Sequence, residues 1–273
     1  MTTPKVSTFS RYGDRWYAVD DDRKAVGVSG VVNMLPKDAL PRWAAREAAE
    51  FTVKNIKAVY ELSGVDPAAA IALIKGAPWR KSGSAADKGT EAHHYTENVA
   101  RAVMAGEKPT GSVPKDIFPY LKQYARFLRE FDVQPVMVET TVYHDEPRQD
   151  YAGTFDLMAR LQTLSGDLAI VDTKTGASGV YSSSAIQQTG YRYARQYVDS
   201  ETGELGLMPE IGATYALWLR PEGYALIPLE STQAELDAWR HLRAMYQWKV
   251  EREKKVVGKA INAVPLKKQW KPR

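Results

Sequence analysis

The stretch GTFDLMARLQTLSGDLAIVDTKTG, Gly153 to Gly176, holds two apolar runs on either side of a turn at Leu164 to Gly166, and reads as a β-hairpin. Residues whose numbers sum to about 329 then face one another, which sets Asp156 opposite Asp172 or Thr173. Alternation along the second run puts Ile170, Asp172 and Lys174 on one face and Val171 and Thr173 on the other. Both faces begin apolar, so this strand is expected inside a sheet, where an aspartate and a lysine near its end are costly unless something pairs or uses them. A divalent cation would turn the repulsion of two carboxylates into affinity, since Mg²⁺ is held by one or two carboxylates, with waters and phosphate oxygens completing its shell. Lys174 is placed to orient or deprotonate a water, or to stabilise charge on a phosphoryl transition state. The chemistry so described is metal-assisted phosphodiester hydrolysis. A purely structural alternative fits the same spacing: an Asp172–Lys174 ion pair at a strand end, with Asp156 at a turn or edge.

Outward from this hairpin the chain changes period. FSRYGDRWYAVD and KAVGVSGVVNML, around Asp20 to Asp22, are expected to pair as a hairpin. Helical spacing follows from Leu40 to about Leu62, and DPAAAIALIKGA reads as a short helix with Pro67 in its first turn. GAPWRKSGS reads as a breaker-rich loop, before helices over about Ala85 to Met104 and Pro114 to Phe131. VMVETTVYHD is a further strand, SSSAIQQTGYRYARQYV a helix, ATYALWLR and YALIPLE a hairpin, and about Thr232 to Arg252 a long helix. Strands grouped within a helical surround give an α/β (α+β) class with a mixed central sheet flanked by helices.

The 273 residues are 44% hydrophobic and 26% charged, the composition of a folded globular chain. Without cysteine there is no iron-sulfur cluster, thiolate metal site or cysteine nucleophile. No signal-peptide core and no run of about 20 apolar residues stands in the sequence, so no membrane partner is expected and the cytoplasm is the expected compartment. The net charge of +4 is concentrated at one end: Lys249 to Arg273 carries nine Lys or Arg against Glu251 and Glu253, which is +7 and leaves −3 for the rest. Such a tail suits a polyanion, and equally a solvated end.

Three further groups stand out. His93 and Glu97 share a helix face after Gly89, as an imidazole ligand and an outer carboxylate. Gln187 and Tyr191 lie one helical turn apart, with Arg195 continuing that face. Trp79, Arg80 and Lys81, and again Lys267, Lys268 and Trp270, combine aromatic and cationic groups suited to a single strand or frayed end. Each group has an ordinary structural reading, as packed or solvated side chains.

Taken in order, GTEAHHYTE, GTFD, DTK and QQTGY resemble the signature of the PD-(D/E)XK nuclease superfamily in its RecB-type exonuclease branch, over about Lys88 to Tyr191. The resemblance implies a restriction-endonuclease-like core with a helical N-terminal region. It implies His93, Asp156 and Asp172 as metal ligands with the Thr173 carbonyl, Lys174 as the catalytic lysine, and Gln187 and Tyr191 as the helix motif that positions site and DNA. Glu139 in VETTVYH would be a further acidic group near the site. One or two Mg²⁺ or Mn²⁺ ions are implied, and no G-x-x-x-x-G-K-[ST] is present to bind a nucleotide.

The expected organisation is a hairpin and helical region over 1–80 packed on a nuclease core over 81–248, then a basic tail over 249–273. The expected function is metal-dependent DNA exonuclease activity on single-stranded or duplex ends, in a homo-oligomer or with a recombination or replication partner. A structure-specific or nicking endonuclease, or an inactive nucleic-acid-binding protein of this fold, are the alternatives. Removal of residues after Gly258 is expected to flatten the salt dependence of DNA binding, read as the slope of log K against log salt; an unchanged slope makes the tail a solvated end.

Overall fold

A computed structural model describes residues 6–20, 22–199 and 202–258, with side chains for all of these but 84–86. The chain opens on β1 (Ser7–Arg11), β2 (Asp14–Ala18) and β3 (Lys24–Gly27), then α1 (Val28–Val32). The expected pairing across Asp20 to Asp22 is the β2–β3 hairpin, in which Ala18 faces Lys24. FSRYGDRWYA also folds on itself, as β1 against β2. The second half of KAVGVSGVVNML turns helical instead of extending, and buries Val28 and Val31.

Helices α2 (Ala39–Lys54), α3 (Ile56–Val65) and α4 (Pro67–Met104) follow. Asp66 caps α4, accepting from the Ala69 N–H at 2.9 Å, with Pro67 at the first helical position. The loop expected at GAPWRKSGS does not exist: α4 is one helix of 38 residues with Pro78 inside it. Packing outweighs the breakers there. The Arg80 guanidinium turns back to the Leu73 carbonyl at 2.9 Å, one turn before the proline, and lies 5.3 Å over Phe51 of α2. Lys81 pairs with Glu47 at 2.6 Å and Trp79 meets Trp43 edge-on at 6.3 Å. These contacts from α2 hold as helix a stretch whose local preference is irregular. The 80/81 boundary therefore falls within a helix.

After α5 (Phe118–Glu130) come β4 (Val133–His144), β5 (Tyr151–Leu161), β6 (Leu168–Lys174), α6 (Ser183–Arg192), β7 (Gln196–Val198), β8 (Leu205–Leu207), β9 (Ala213–Leu219), β10 (Tyr224–Pro228) and α7 (Gln233–Glu251). The described strands form one mixed sheet: β5 pairs antiparallel with β4 and β6, whereas β6 runs parallel to β9 and β3 parallel to β5. α4 and α5 cover one face over a core that includes Phe127, Leu157 and Val171. α1, α6 and α7 cover the other, over Phe155, Ile170, Tyr191 and Trp239. The α/β class with helices flanking a mixed sheet is thus the observed one. No described helix is long and apolar enough to cross a membrane.

The helix expected over SSSAIQQTGYRYARQYV stops at Arg192, because Gln196 and Tyr197 join the sheet against Tyr143 and Val142. Arg195 therefore leaves the face carrying Gln187 and Tyr191.

One edge of β5 is shared by two strands. β3 pairs with Tyr151 and Ala152, β6 pairs from Leu157 onward, and Gly153 to Asp156 face the gap between them. Gly153 lines this gap under close contact: a Cβ there would sit 2.7 Å from both Tyr191 Cε1 and Val28 Cγ2. Gly153→Ala is expected to cost about 1–3 kcal/mol through overpacking and to lower the thermal unfolding midpoint; an unchanged midpoint would mean that α1 and α6 yield freely.

Candidate metal centre

The site forms where β5 and β6 part. Their register sets Leu157 opposite Val171, within one residue of the sequence expectation, and Asp156 and Asp172 are the next residue on each strand. The ladder stops at Leu157 and Val171, and the Thr173 N–H donates instead to Asp156 Oδ2 at 2.7 Å. A side-chain carboxylate thus takes the place of a main-chain acceptor and meets the Thr173 amide.

Alternation also slips here. Phe155 and Leu157, two residues apart, belong to cores on opposite faces, and so do Val138 and Val142, four apart. The slip falls at Glu139, whose φ is +49°, opposite Asp156 in register. A left-handed glutamate within a strand is costly and is found where the surroundings dictate it, commonly at functional sites. The irregularity brings both carboxylates toward α4.

His93 comes from α4. Gly89, one turn earlier, lets the chain after β6 approach, since a Cβ there would stand 3.0 Å from Thr175 Oγ1. His93 Nδ1 lies 3.3 Å from Asp156 Oδ2. One ligand atom each from His93, Glu139 and Asp156 fall within 4.8 Å of one another, all on half-buried residues. An imidazole and two carboxylates without thiolate suit a divalent cation such as Mn²⁺ or Mg²⁺, the imidazole tilting the set toward Mn²⁺.

Asp172 stands apart from this trio. It is 3% exposed, and its Oδ2 lies 2.6 Å from Lys174 Nζ. That contact is a close ion pair in a buried setting. Lys174 Nζ donates to Gln187 Oε1 at 3.2 Å, and Gln187 Nε2 donates to the Tyr191 hydroxyl at 3.1 Å. The Asp172–Lys174 pair weighed from spacing is therefore present, and a Lys174–Gln187–Tyr191 relay continues it. Burial, then the nearby Asp156 charge, raises the Asp172 pKa to about 6, against the opposing pull of Lys174. Burial also pushes the Tyr191 hydroxyl well up.

Other expected residues lie elsewhere. Glu97 pairs with Arg101 at 3.0 Å, not with the trio, and Arg101 in turn donates to the Val138 carbonyl at 3.0 Å, beside Glu139. Thr173 reaches the site by its N–H. Trp79 is 55% exposed, while Arg80 and Lys81 are engaged by α4 and α2. Arg195 faces Asp145 and Glu146 at 3.5 and 3.6 Å. Lys267, Lys268 and Trp270 lie outside the described residues. Trp218 and Arg220 were not anticipated: Trp218 Nε1 donates to the Gly176 carbonyl and Arg220 Nη1 to that of Thr175, both at 2.8 Å, tethering the chain that leaves Lys174. Glu139 was read only as an additional acid, because nothing in VETTV announces a left-handed residue.

No family model matches the chain, and no match was found among curated proteins. A solved structure described as "Crystal structure of SSO0001" aligns at 12% identity over 53% of this chain and 73% of that one, with a TM-score of 0.27, too slight a likeness to carry an argument.

The raised Asp172 pKa fixes the sign of a pH effect. The folded chain retains a proton that the unfolded chain releases above its ordinary 3.8, so this contribution to stability is full below about pH 4 and is lost as pH rises through about 6. In chelator, the thermal midpoint of the wild type is expected to fall over that interval more than that of Asp172→Asn. Parallel profiles would show that the carboxyl ionises without cost.

Proposed function

We propose that this chain is a metal-dependent DNA nuclease of the RecB-type PD-(D/E)XK kind, acting as an exonuclease on strand ends. The observation that carries the reading is the convergence of His93, Glu139 and Asp156 within 4.8 Å, beside a lysine paired with a buried aspartate. Such a convergence is expensive without a cation, since Asp156 and Glu139 repel one another and a left-handed backbone is spent in bringing them together. The buried Asp172 carboxylate, paired with Lys174, lies close enough to Asp156 to feel its charge. His93, Glu139 and Asp156 would hold the ion, with Asp172 next to them. The ion's part, when bound, is to polarise a phosphoryl oxygen and acidify water.

The chain's own groups do the rest. Lys174 holds a positive charge 2.6 Å from Asp172, in a place to orient a water or to meet charge developing on phosphate. Gln187 fixes that ammonium, and Tyr191 fixes Gln187. Both act as positioning residues. The trio is half-buried, not sealed from solvent.

Lys174→Ala is expected to keep Mn²⁺ and DNA binding and to lose cleavage by about 10²–10³-fold, followed on DNA labelled at the 5′ or 3′ end beside closed circles, with Mn²⁺, Mg²⁺ or chelator. Glu139→Gln is expected to weaken Mn²⁺ binding, by calorimetry, about tenfold or more. Turnover retained in Lys174→Ala would move the chemistry elsewhere, and cut circles would make the activity endonucleolytic.

A further inference from the structure

Helix α4 does more at the metal centre than supply His93. His93, Glu97 and Arg101 recur every four residues, so they stay on one side of the helix, with Arg101 about 12 Å along the axis from His93. One guanidinium serves two partners: Arg101 Nε donates to Glu97 Oε1 and Nη2 to the Val138 carbonyl, both at 3.0 Å. The side chains of Arg101 and Glu97 are largely buried, at 28% and 14% exposed, and Val138 is buried too. A charged donor on a carbonyl in such a setting is among the stronger hydrogen bonds that a protein makes. The same carbonyl takes a second side-chain donor, the Thr140 hydroxyl at 3.4 Å.

That carbonyl matters because of the residue that follows it. Glu139 is left-handed, at φ +49°, while Val138 and Thr140 on either side keep their register with Leu157 and Phe155. The left-handed turn is thus confined to the residue that gives a carboxylate to the trio. The φ of Glu139 is the rotation that follows the planar Val138–Glu139 peptide, so a hold on the Val138 oxygen fixes the plane from which that rotation is set. A non-glycine residue keeps such a conformation where its surroundings over-determine it. Arg101 and Thr140 both hold this plane, and of the two Arg101 comes from outside β4, on the helix that also carries His93.

We infer that Arg101 is a positioning residue for the metal centre: it locks the Val138–Glu139 peptide so that the Glu139 carboxylate stands with His93 and Asp156. This role rests on the reading of the trio as a metal centre. One helix then sets two of the three ligands, His93 by its own side chain and Glu139 through Arg101 and the main chain of β4. Simple electrostatics run the other way. Arg101 neutralises Glu97, so its removal would leave a bare carboxylate one helical turn from His93, and charge alone would then draw a cation more tightly. Positioning predicts weaker binding.

The test is Mn²⁺ calorimetry on the full chain, with wild type, Arg101→Met, Glu139→Gln and the double variant. Arg101→Met keeps an unbranched stem but no donor, and is expected to weaken Mn²⁺ binding about ten- to hundredfold, the usual effect of losing a group that orients a ligand. In the Glu139→Gln background the same change is expected to cost about twofold or less, since the ligand it positions is already compromised. A merely structural tie between α4 and β4 would cost the same in both backgrounds. Thermal midpoints taken alongside show that each variant is folded at the temperature of titration. If Arg101→Met does not fold, Arg101→Lys keeps the charge and the stem but lacks the planar fork that reaches two partners. It is expected to weaken Mn²⁺ about threefold or more with Glu139 in place, and not in Glu139→Gln. Unchanged or tighter Mn²⁺ binding in the folded Arg101 variant, or equal losses in the two backgrounds, overturns the role and leaves the metal centre standing. A wild type that binds no Mn²⁺ overturns the metal centre, and this role with it.

Discussion

Much of this molecule follows from the way one edge of β5 is divided. A strand of eleven residues accepts β3 at its start and β6 at its end, and the residues between have no strand neighbour on that side. The gap would leave main-chain groups of both strands unmet in the interior, at a cost of about 1–3 kcal/mol each. The Thr173 N–H is met by the Asp156 carboxylate, so one side chain closes the sheet and also carries charge to the floor of the opening. Glu139, across the other edge of the same strand, turns left-handed at the same level. Removal of either carboxylate would therefore disturb the sheet as well as any ion, which is why neutral amide replacements at these positions are more informative than truncations.

The sequence made the hairpin legible because its signals are local. Apolar runs of matching length around Leu164 to Gly166 set the pairing to within a residue, and Asp66-Pro67 and Thr232 marked helix starts that the structure uses. What was hidden depends on distant partners. Breakers at Gly76, Pro78 and Gly83 are outvoted by Trp43, Glu47 and Phe51, none of which a local window sees. The end of α6 at Arg192 is set by a demand from β4, not by a stop signal in its own residues.

For the site, helix and strand spacing offered His93, Asp156, Asp172, Lys174, Gln187 and Tyr191 as candidates with structural readings still open, the family resemblance gave them roles, and the structure places them near one another. Strict alternation failed to rank the acids. A strand read as regular assigns faces by odd and even numbers, and the slip at Glu139 breaks that count, so the glutamate joins the trio while Asp172 turns to Lys174. The basic and aromatic residues were legible as a composition, but not as an arrangement: Arg80 and Lys81 stay exposed while also reaching Leu73 and Glu47.

The length of α4 has a mechanical corollary. One rod of 38 residues, about 57 Å end to end, follows α3 at one extremity, carries α2 near its middle and His93 toward the other end. Its weak point, Pro78, stands fifteen residues, or roughly 22 Å, ahead of the imidazole. Because α2 grips Trp79, Arg80 and Lys81 just past that joint, any displacement of α2 loads the segment of rod that ends at the histidine beside Asp156.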